Sequence, residues 1–147
     1  MKILWRNFPI PEQFVVALAV GGLLQVLVPV SVLPPGAAWV PLGAILIIAG
    51  VSVTLWPVFV AQDEDLEHPT SLLTTGPYAF SRNPMYLGWA ILAVGLAILV
   101  NSLWLAIAAL AAWLYLQFLT IPQEEKALQR DFGAEYDAYR RRVRRWL

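Results

Sequence analysis

The sequence predicts an all-α fold: an integral membrane bundle of about four transmembrane helices, followed by a cytoplasmic, interfacial amphipathic helix. The first observation is composition, since 59% of the 147 residues are hydrophobic and 14% are charged, whereas soluble domains carry about 25% charged residues. The second is that no charged residue lies between Glu12 and Asp63, or between Arg82 and Glu124. The third is an apolar stripe at helical spacing near the C-terminus.

Each uncharged block is long enough for two helices, because about 20 apolar residues cross about 30 Å of hydrocarbon. Two prolines and a glycine at 34–36 divide the first block, and Asn101-Ser102 divides the second. We expect spans at 14–33, 39–60, 85–100 and 103–121. Pro29 and Pro57 should kink the first two spans or mark their ends.

The charged residues then lie on one side of the membrane, in the N-terminal segment, the loop 62–84 and the C-terminal segment. Lys2, Arg6 and the arginines of 140–145 place that side in the cytoplasm by the positive-inside rule. We expect a multi-pass protein with both termini and its polar site on the cytoplasmic side. The length favours a single domain, 1–147, and the apolar run is too long for a cleaved signal peptide.

Composition also limits the chemistry. The chain has no cysteine, which excludes disulfides, thiolate nucleophiles and cysteine zinc sites. His68 is the single histidine and we interpret it as a surface residue, while the acidic run 63–67 is typical of a solvated loop; we expect no metal site. Ten basic residues balance ten acidic ones, so we expect no nucleic-acid partner.

The C-terminal helix is predicted at 122–145. Its apolar and aromatic residues recur every three or four positions, at Leu128, Phe132, Tyr136, Tyr139, Val143 and Trp146. The opposite face is rich in basic residues, which favours a position along the membrane surface near anionic headgroups. Gly133 interrupts the pattern and indicates a kink or a close packing point.

Two polar segments beside the spans carry residues suited to a ligand pocket. The loop 62–84 offers hydroxyls and, with the start of the third span, the aromatic rings of Tyr78 and Tyr86, which are typical of a nucleoside pocket. Arg82 either binds an anion or extends to the lipid headgroups. Glu124 and Glu125 either stabilise the start of the C-terminal helix or hold a ribose diol or a ligand ammonium group.

The sequences LLTTGPYAFSRNPMYLG at 72–88 and IPQEEKALQRDFGAEYDAYRRRV at 121–143 together resemble the two signatures of the isoprenylcysteine carboxyl methyltransferase family, which is related to the phospholipid methyltransferases. They stand in the family's order, on either side of a two-span hairpin. The resemblance covers about half of the chain. It implies an integral membrane enzyme that binds S-adenosylmethionine between the loop and the helix after the last span.

The resemblance also implies which residues contact the cofactor. Residue by residue, it assigns them to Thr70, Ser71, Leu72, Leu73, Tyr78, Asn83, Pro84, Met85, Tyr86 and Glu124. Arg82 and Glu125 adjoin these positions and complete the predicted cofactor site. Eukaryotic members have an arginine, associated with the substrate, where this chain has Thr120. The resemblance therefore does not identify the methyl acceptor, and no catalytic residue is assigned.

We thus expect an S-adenosylmethionine-dependent methyltransferase that acts at the membrane on a lipophilic acceptor, either a carboxylate or a lipid headgroup. Its other partners would be membrane lipids. One alternative is a membrane NADPH-dependent reductase of the steroid-reductase-like type, although a loop with one arginine and four acids does not favour a phosphorylated dinucleotide. The other alternative is a non-catalytic membrane scaffold whose basic tail binds anionic lipid.

Overall fold

A computed structural model describes residues 10–61 and 71–147, and in these ranges every regular element is helical. The helices are α1 (Glu12–Leu27), α2 (Val40–Val60), α3 (Pro84–Val100), α4 (Leu103–Tyr115) and α5 (Ile121–Arg142). Short 3₁₀ turns at Ala37–Trp39 and Gly76–Ala79 precede α2 and α3, and a π-helical turn at Leu116–Thr120 joins α4 directly to α5. The all-helical prediction is confirmed for this part of the chain.

Two helical stretches, Ala37–Val60 and Leu103–Arg142, are long and apolar enough to cross a membrane. In the second stretch the uncharged part ends before Glu124. Helices α1 and α3 are apolar but have only 16 and 17 residues, which is about 25 Å of helix. Large apolar side chains such as Val26, Ile48 and Leu110 are more than half exposed. Such a surface is typical of a contact with lipid or protein.

Glycines bring α2 and α3 together in the most extensive helix pair of the fold. Gly43 and Gly50 on α2 face Gly88 and Gly95 on α3 across the contact. A Cβ atom on Gly50 would lie 2.5 Å from the amide nitrogen of Leu92, so nothing larger than hydrogen fits there without a shift. Small residues permit this approach of two helix backbones, as they do in membrane bundles.

The buried core lies where α1, α3 and α4 meet the π-helical turn. Its members are small or apolar: Phe14, Ala93, Ala109, Ala112, Leu116 and Ile121. Helix α1 packs mainly against α4, where Gly21 leaves room for the backbone of Trp104. This core therefore fixes the π-helical turn, and with it the start of α5.

The two uncharged connections contact each other at the end of the bundle opposite the polar loop. Asn101, which ends α3 in a left-handed conformation (φ 51°), accepts hydrogen bonds at its Oδ1 from the amides of Val32 (3.1 Å) and Leu33 (2.8 Å). Ser102 donates a hydrogen bond to the Gln25 side chain over 2.8 Å. Asn101 thus satisfies two backbone amides of the other connection, and the Ser102 hydroxyl also caps α4 by accepting a hydrogen bond from the amide of Leu105.

Three helix ends differ from the sequence expectation, and the first is that α4 ends at Tyr115, where the π-helical turn begins, instead of continuing to position 121. Helix α1 ends at Leu27 instead of continuing to position 33, because Val28 precedes Pro29 and a residue before proline disfavours the helical conformation. Helix α5 ends at Arg142 instead of position 145, and Val143 is extended (φ −117°, ψ 129°). The expected kink at Gly133 is present, with φ 50° and ψ −119° inside α5.

Candidate functional site

The starts of α3 and α5 lie next to each other and carry the central contact of the site. Each helix has a proline in its first turn, Pro84 in α3 and Pro122 in α5, where the missing amide proton costs nothing and the fixed φ favours helix. Tyr86 and Glu124 follow in these first turns. The Tyr86 hydroxyl donates a hydrogen bond of 2.5 Å to Oε1 of Glu124. The structure thus joins the two polar segments through these two side chains.

Tyr78 belongs to the same cluster. It lies in the 3₁₀ turn Gly76–Ala79, and its carbonyl oxygen accepts a hydrogen bond of 2.8 Å from the hydroxyl of Tyr139 on α5. Burial and the negative charge of the nearby Glu124 raise the pKa of Tyr78 to about 12. Tyr78 therefore keeps its proton at neutral pH and offers a neutral hydroxyl and an aromatic face.

Glu124 combines close protein surroundings with an accessible side chain. Desolvation by the surrounding protein is the largest effect and raises the pKa of its carboxyl group, the hydrogen bond from Tyr86 lowers it, and the neighbouring Glu125 raises it. The residue is nevertheless exposed at the surface. Among the described residues, no basic side chain forms an ion pair with Glu124. An accessible carboxylate without a cationic partner is suited to a ligand that brings hydroxyl donors or a positive charge.

Glu125 has a different environment, although it is the next residue in the chain. Its Oε1 lies 3.0 Å from Nη1 of Arg82. Its two oxygens also accept both hydrogen bonds of the Arg145 guanidinium, from Nε at 3.1 Å and from Nη2 at 2.6 Å. The Nη1 atom of Arg82 donates a further hydrogen bond of 3.0 Å to the hydroxyl of Tyr136. Glu125 therefore links the start of α5 to Arg82, which precedes α3, and to Arg145, which follows α5.

Asn83 also contacts the protein itself. Its side-chain nitrogen donates a hydrogen bond of 3.0 Å to the carbonyl of Arg145, and its backbone N–H donates a hydrogen bond of 3.1 Å to the Ser81 hydroxyl. The remaining residues that were predicted to contact the cofactor differ in burial: Pro84 is buried, Leu72, Leu73 and Met85 are half-buried, and Ser71 is exposed. Thr70, His68 and the acidic run 63–67 lie outside the described residues.

The structure adds residues that sequence reasoning did not connect with the site. Tyr136 and Tyr139 were interpreted as part of an apolar stripe, but their hydroxyls bind Arg82 and the Tyr78 carbonyl. Arg145 was interpreted as one of several membrane-facing arginines, but it pairs with Glu125. The sequence signal for the tyrosines was their type, since a buried tyrosine hydroxyl usually needs a polar partner.

The cluster is thus an accessible carboxylate between two neutral tyrosines, supported by an ion-paired layer of Arg82, Glu125 and Arg145. In the part of the chain that the structure describes, no three metal-ligating side chains of the His, Cys, Asp and Glu types come together. The chemistry available at the described cluster is therefore recognition: hydrogen bonds to hydroxyls, attraction of a cation, and stacking on an aromatic ring.

Comparison with known proteins relates the chain to membrane methyltransferases. A family model described as phospholipid methyltransferase matches residues 37–135. The protein-S-isoprenylcysteine O-methyltransferases of Mus musculus and Homo sapiens are each 35% identical to the chain over 85 residues, which is 57% of this chain and 29% of each relative. A nickel-cobalt-cadmium resistance protein, NccN, of Alcaligenes xylosoxydans xylosoxydans is 37% identical over 74 residues, 50% of this chain and 34% of that protein. The matched region thus spans about a third or less of these relatives.

Proposed function

We propose, from the premise that the chain belongs to the phospholipid methyltransferase family, that it transfers a methyl group from S-adenosylmethionine to a lipophilic acceptor at a membrane. The observation that carries the proposal is the contact between Tyr86 and Glu124. It joins the two segments that resemble the signatures of the related isoprenylcysteine carboxyl methyltransferase family. Membrane association agrees with the apolar helices and their exposed apolar faces.

The residues at the cluster fit S-adenosylmethionine. Glu124 is accessible and has no cationic partner among the described residues, so it would accept hydrogen bonds from a ribose diol or pair with the ammonium group. Tyr78 and Tyr86 offer aromatic faces to an adenine ring or to a cation. When bound, the cofactor would supply a methyl group on a sulfonium, which is already an activated leaving group. The residues of the chain would bind, orient and shield the reactants.

The acceptor is proposed to be a lipophilic molecule with a carboxylate or a lipid headgroup as its nucleophile. The Nε atom of Arg82 is buried and has no hydrogen-bond partner among the described residues. A carboxylate that reached this nitrogen would supply the missing acceptor. A carboxylate is ionised at neutral pH and needs no general base to attack a methyl group.

We also propose that the chain crosses the membrane four times, with both termini and the site on the cytoplasmic side. Helices α1 and α3 alternate with the two longer apolar stretches, and the basic residues lie on one side in this arrangement. The cofactor would then enter from the cytoplasm, and the acceptor from the lipid. Cysteine-accessibility labelling would test this topology at chosen positions, because the chain has no native cysteine.

Calorimetric titration of the detergent-purified protein with S-adenosylmethionine, S-adenosylhomocysteine and NADPH tests the cofactor. We expect the first two to bind. Glu124→Gln should weaken the binding of S-adenosylmethionine more than Glu135→Gln does, which is a matched change at an exposed position of α5. Binding of NADPH alone would replace the proposal with the reductase alternative. A folded protein that binds none of the three ligands would favour the scaffold.

Transfer of a radiolabelled methyl group tests the acceptor. The purified protein is mixed with labelled S-adenosylmethionine and, separately, an S-farnesylcysteine carboxylate, a long-chain fatty acid or phosphatidylethanolamine vesicles. Label in a carboxyl methyl ester, released by mild base, supports the carboxylate class. Base-stable label in the amine headgroup identifies the lipid headgroup instead.

A further inference from the structure

The segment that follows α5 runs back across the site. Residues 143–146 are not helical, and they contact three separate parts of the fold: the loop before α3, the first turn of α5 and the π-helical turn. We propose that residues 143–146 form a positioning strap, in which Arg145 holds the starts of α3 and α5 in register so that Tyr86 and Glu124 face one cofactor. This inference rests on the proposed function and concerns the assembly of that site.

The first contact ties the strap to the loop before α3. The amide of Arg82 donates a hydrogen bond of 3.0 Å to the carbonyl of Arg144. The carbonyl of Arg145 accepts two more, from the Ser81 hydroxyl at 3.2 Å and from the Asn83 side chain at 3.0 Å. Ser81 is buried, so the strap satisfies polar groups that would be costly to leave unpaired.

The second contact ties the strap to α5. The Arg145 guanidinium forms its paired hydrogen bonds with Glu125, and the two side chains are 27% and 19% exposed. Two parallel charge-assisted hydrogen bonds fix orientation as well as distance. Because Glu125 follows Glu124 directly, holding one side chain also fixes the helix turn that carries the other.

The third contact ties the strap to the π-helical turn. The indole nitrogen of Trp146 donates a hydrogen bond of 2.8 Å to the Gln117 side chain, and its ring lies 5.8 Å from that of Trp113 on α4. The π-helical turn immediately precedes α5 and sets its rotation. The strap therefore holds both sides of the Tyr86–Glu124 contact through residues that do not themselves bear the proposed ligand groups.

The test uses Arg145→Ala, with Arg144→Ala as the matched control. Both changes remove one arginine, but Arg144 is exposed and contributes its backbone carbonyl, which the control keeps. We expect Arg145→Ala to weaken S-adenosylmethionine binding about tenfold, equivalent to the loss of one hydrogen bond to a charged group, and Arg144→Ala to bind as the wild type does. The cofactor KM should rise, while kcat at saturating cofactor changes little.

Two milder variants keep the proposal testable if Arg145→Ala fails to fold. Arg145→Lys keeps the charge but loses the paired geometry, so its affinity should fall between those of the wild type and Arg145→Ala. Trp146→Phe keeps an aromatic ring and removes the donor to Gln117, and should also weaken binding. Wild-type affinity in a folded Arg145→Ala, or in both milder variants, overturns the strap and leaves the proposed function intact. A wild-type protein that does not bind S-adenosylmethionine overturns both.

Discussion

Replacing Glu125 with glutamine should destabilise the fold, although the change removes a single charge. Glu125 bonds to both Arg82 and Arg145, and the three side chains are 15–27% exposed. Hydrogen bonds to charged groups contribute about 1.5–3 kcal/mol each, and the glutamine carbonyl retains part of the set. The expected loss is about 2 kcal/mol, between the values for exposed and fully buried ion pairs. For a domain of this size that lowers Tm by roughly 4–8 °C.

The assay is thermal unfolding of the detergent-purified protein, followed by circular dichroism in the absence of ligand. Glu124→Gln is the matched comparison, because it makes the same chemical change one residue earlier, where no cation is paired among the described residues and an amide oxygen still accepts the Tyr86 hydrogen bond. We expect its Tm to stay within about 2 °C of the wild type. Equal Tm values for the two variants would refute the assignment of Glu125 to a structural ion pair.

Three further predictions concern pH and the backbone. Protonation of Glu124, whose pKa is raised, should weaken S-adenosylmethionine binding as the pH falls, by up to about tenfold per unit, and calorimetry of Glu124→Gln should show a flatter pH profile. Gly50→Ala should cost about 1–3 kcal/mol through overpacking, whereas Gly22→Ala, with open space around it, should not lower Tm. Gly133→Ala should cost about 1–2 kcal/mol in the same melting assay, because φ is +50° there.

The sequence predicted most helices because each depends on local signals. Uncharged apolar runs with prolines at their starts correspond to α2 and α3 within one residue of the predicted bounds. The bound predicted at position 33 for the first span was wrong, whereas the expectation that Pro29 kinks this span or marks its end is confirmed, because α1 ends at Leu27 just before the Val28-Pro29 step. Contacts between helices carry no local signal, and the fit of Gly50 against Leu92 could not be predicted without the partner helix.

The candidate site divides in the same way. Tyr78, Tyr86 and Glu124 were predicted from residue type and family resemblance, and the structure brings them together. The sequence could not separate Glu124 from Glu125, because nothing local indicated that residues 143–146 leave the helix and return to the loop. That return depends on carbonyl groups of Arg144 and Arg145, which every residue possesses and which therefore leave no sequence pattern.

The contrast between the two glutamates follows from helix geometry. Successive residues on a helix point about 100° apart, so in the first turn of α5 one carboxylate faces the accessible cluster and the other faces the two arginines. The π-helical turn before α5 closes an i to i+5 hydrogen bond from the amide of Ile121 to the carbonyl of Leu116, which changes the rotation of everything after it. Without that wide turn, the helix would present a different residue to Tyr86. Three features therefore set the rotation of α5 about its axis: the π-helical turn, the strap that bonds to Gln117 in that turn, and the ion pair at Glu125. That rotation determines which carboxylate is accessible to a ligand.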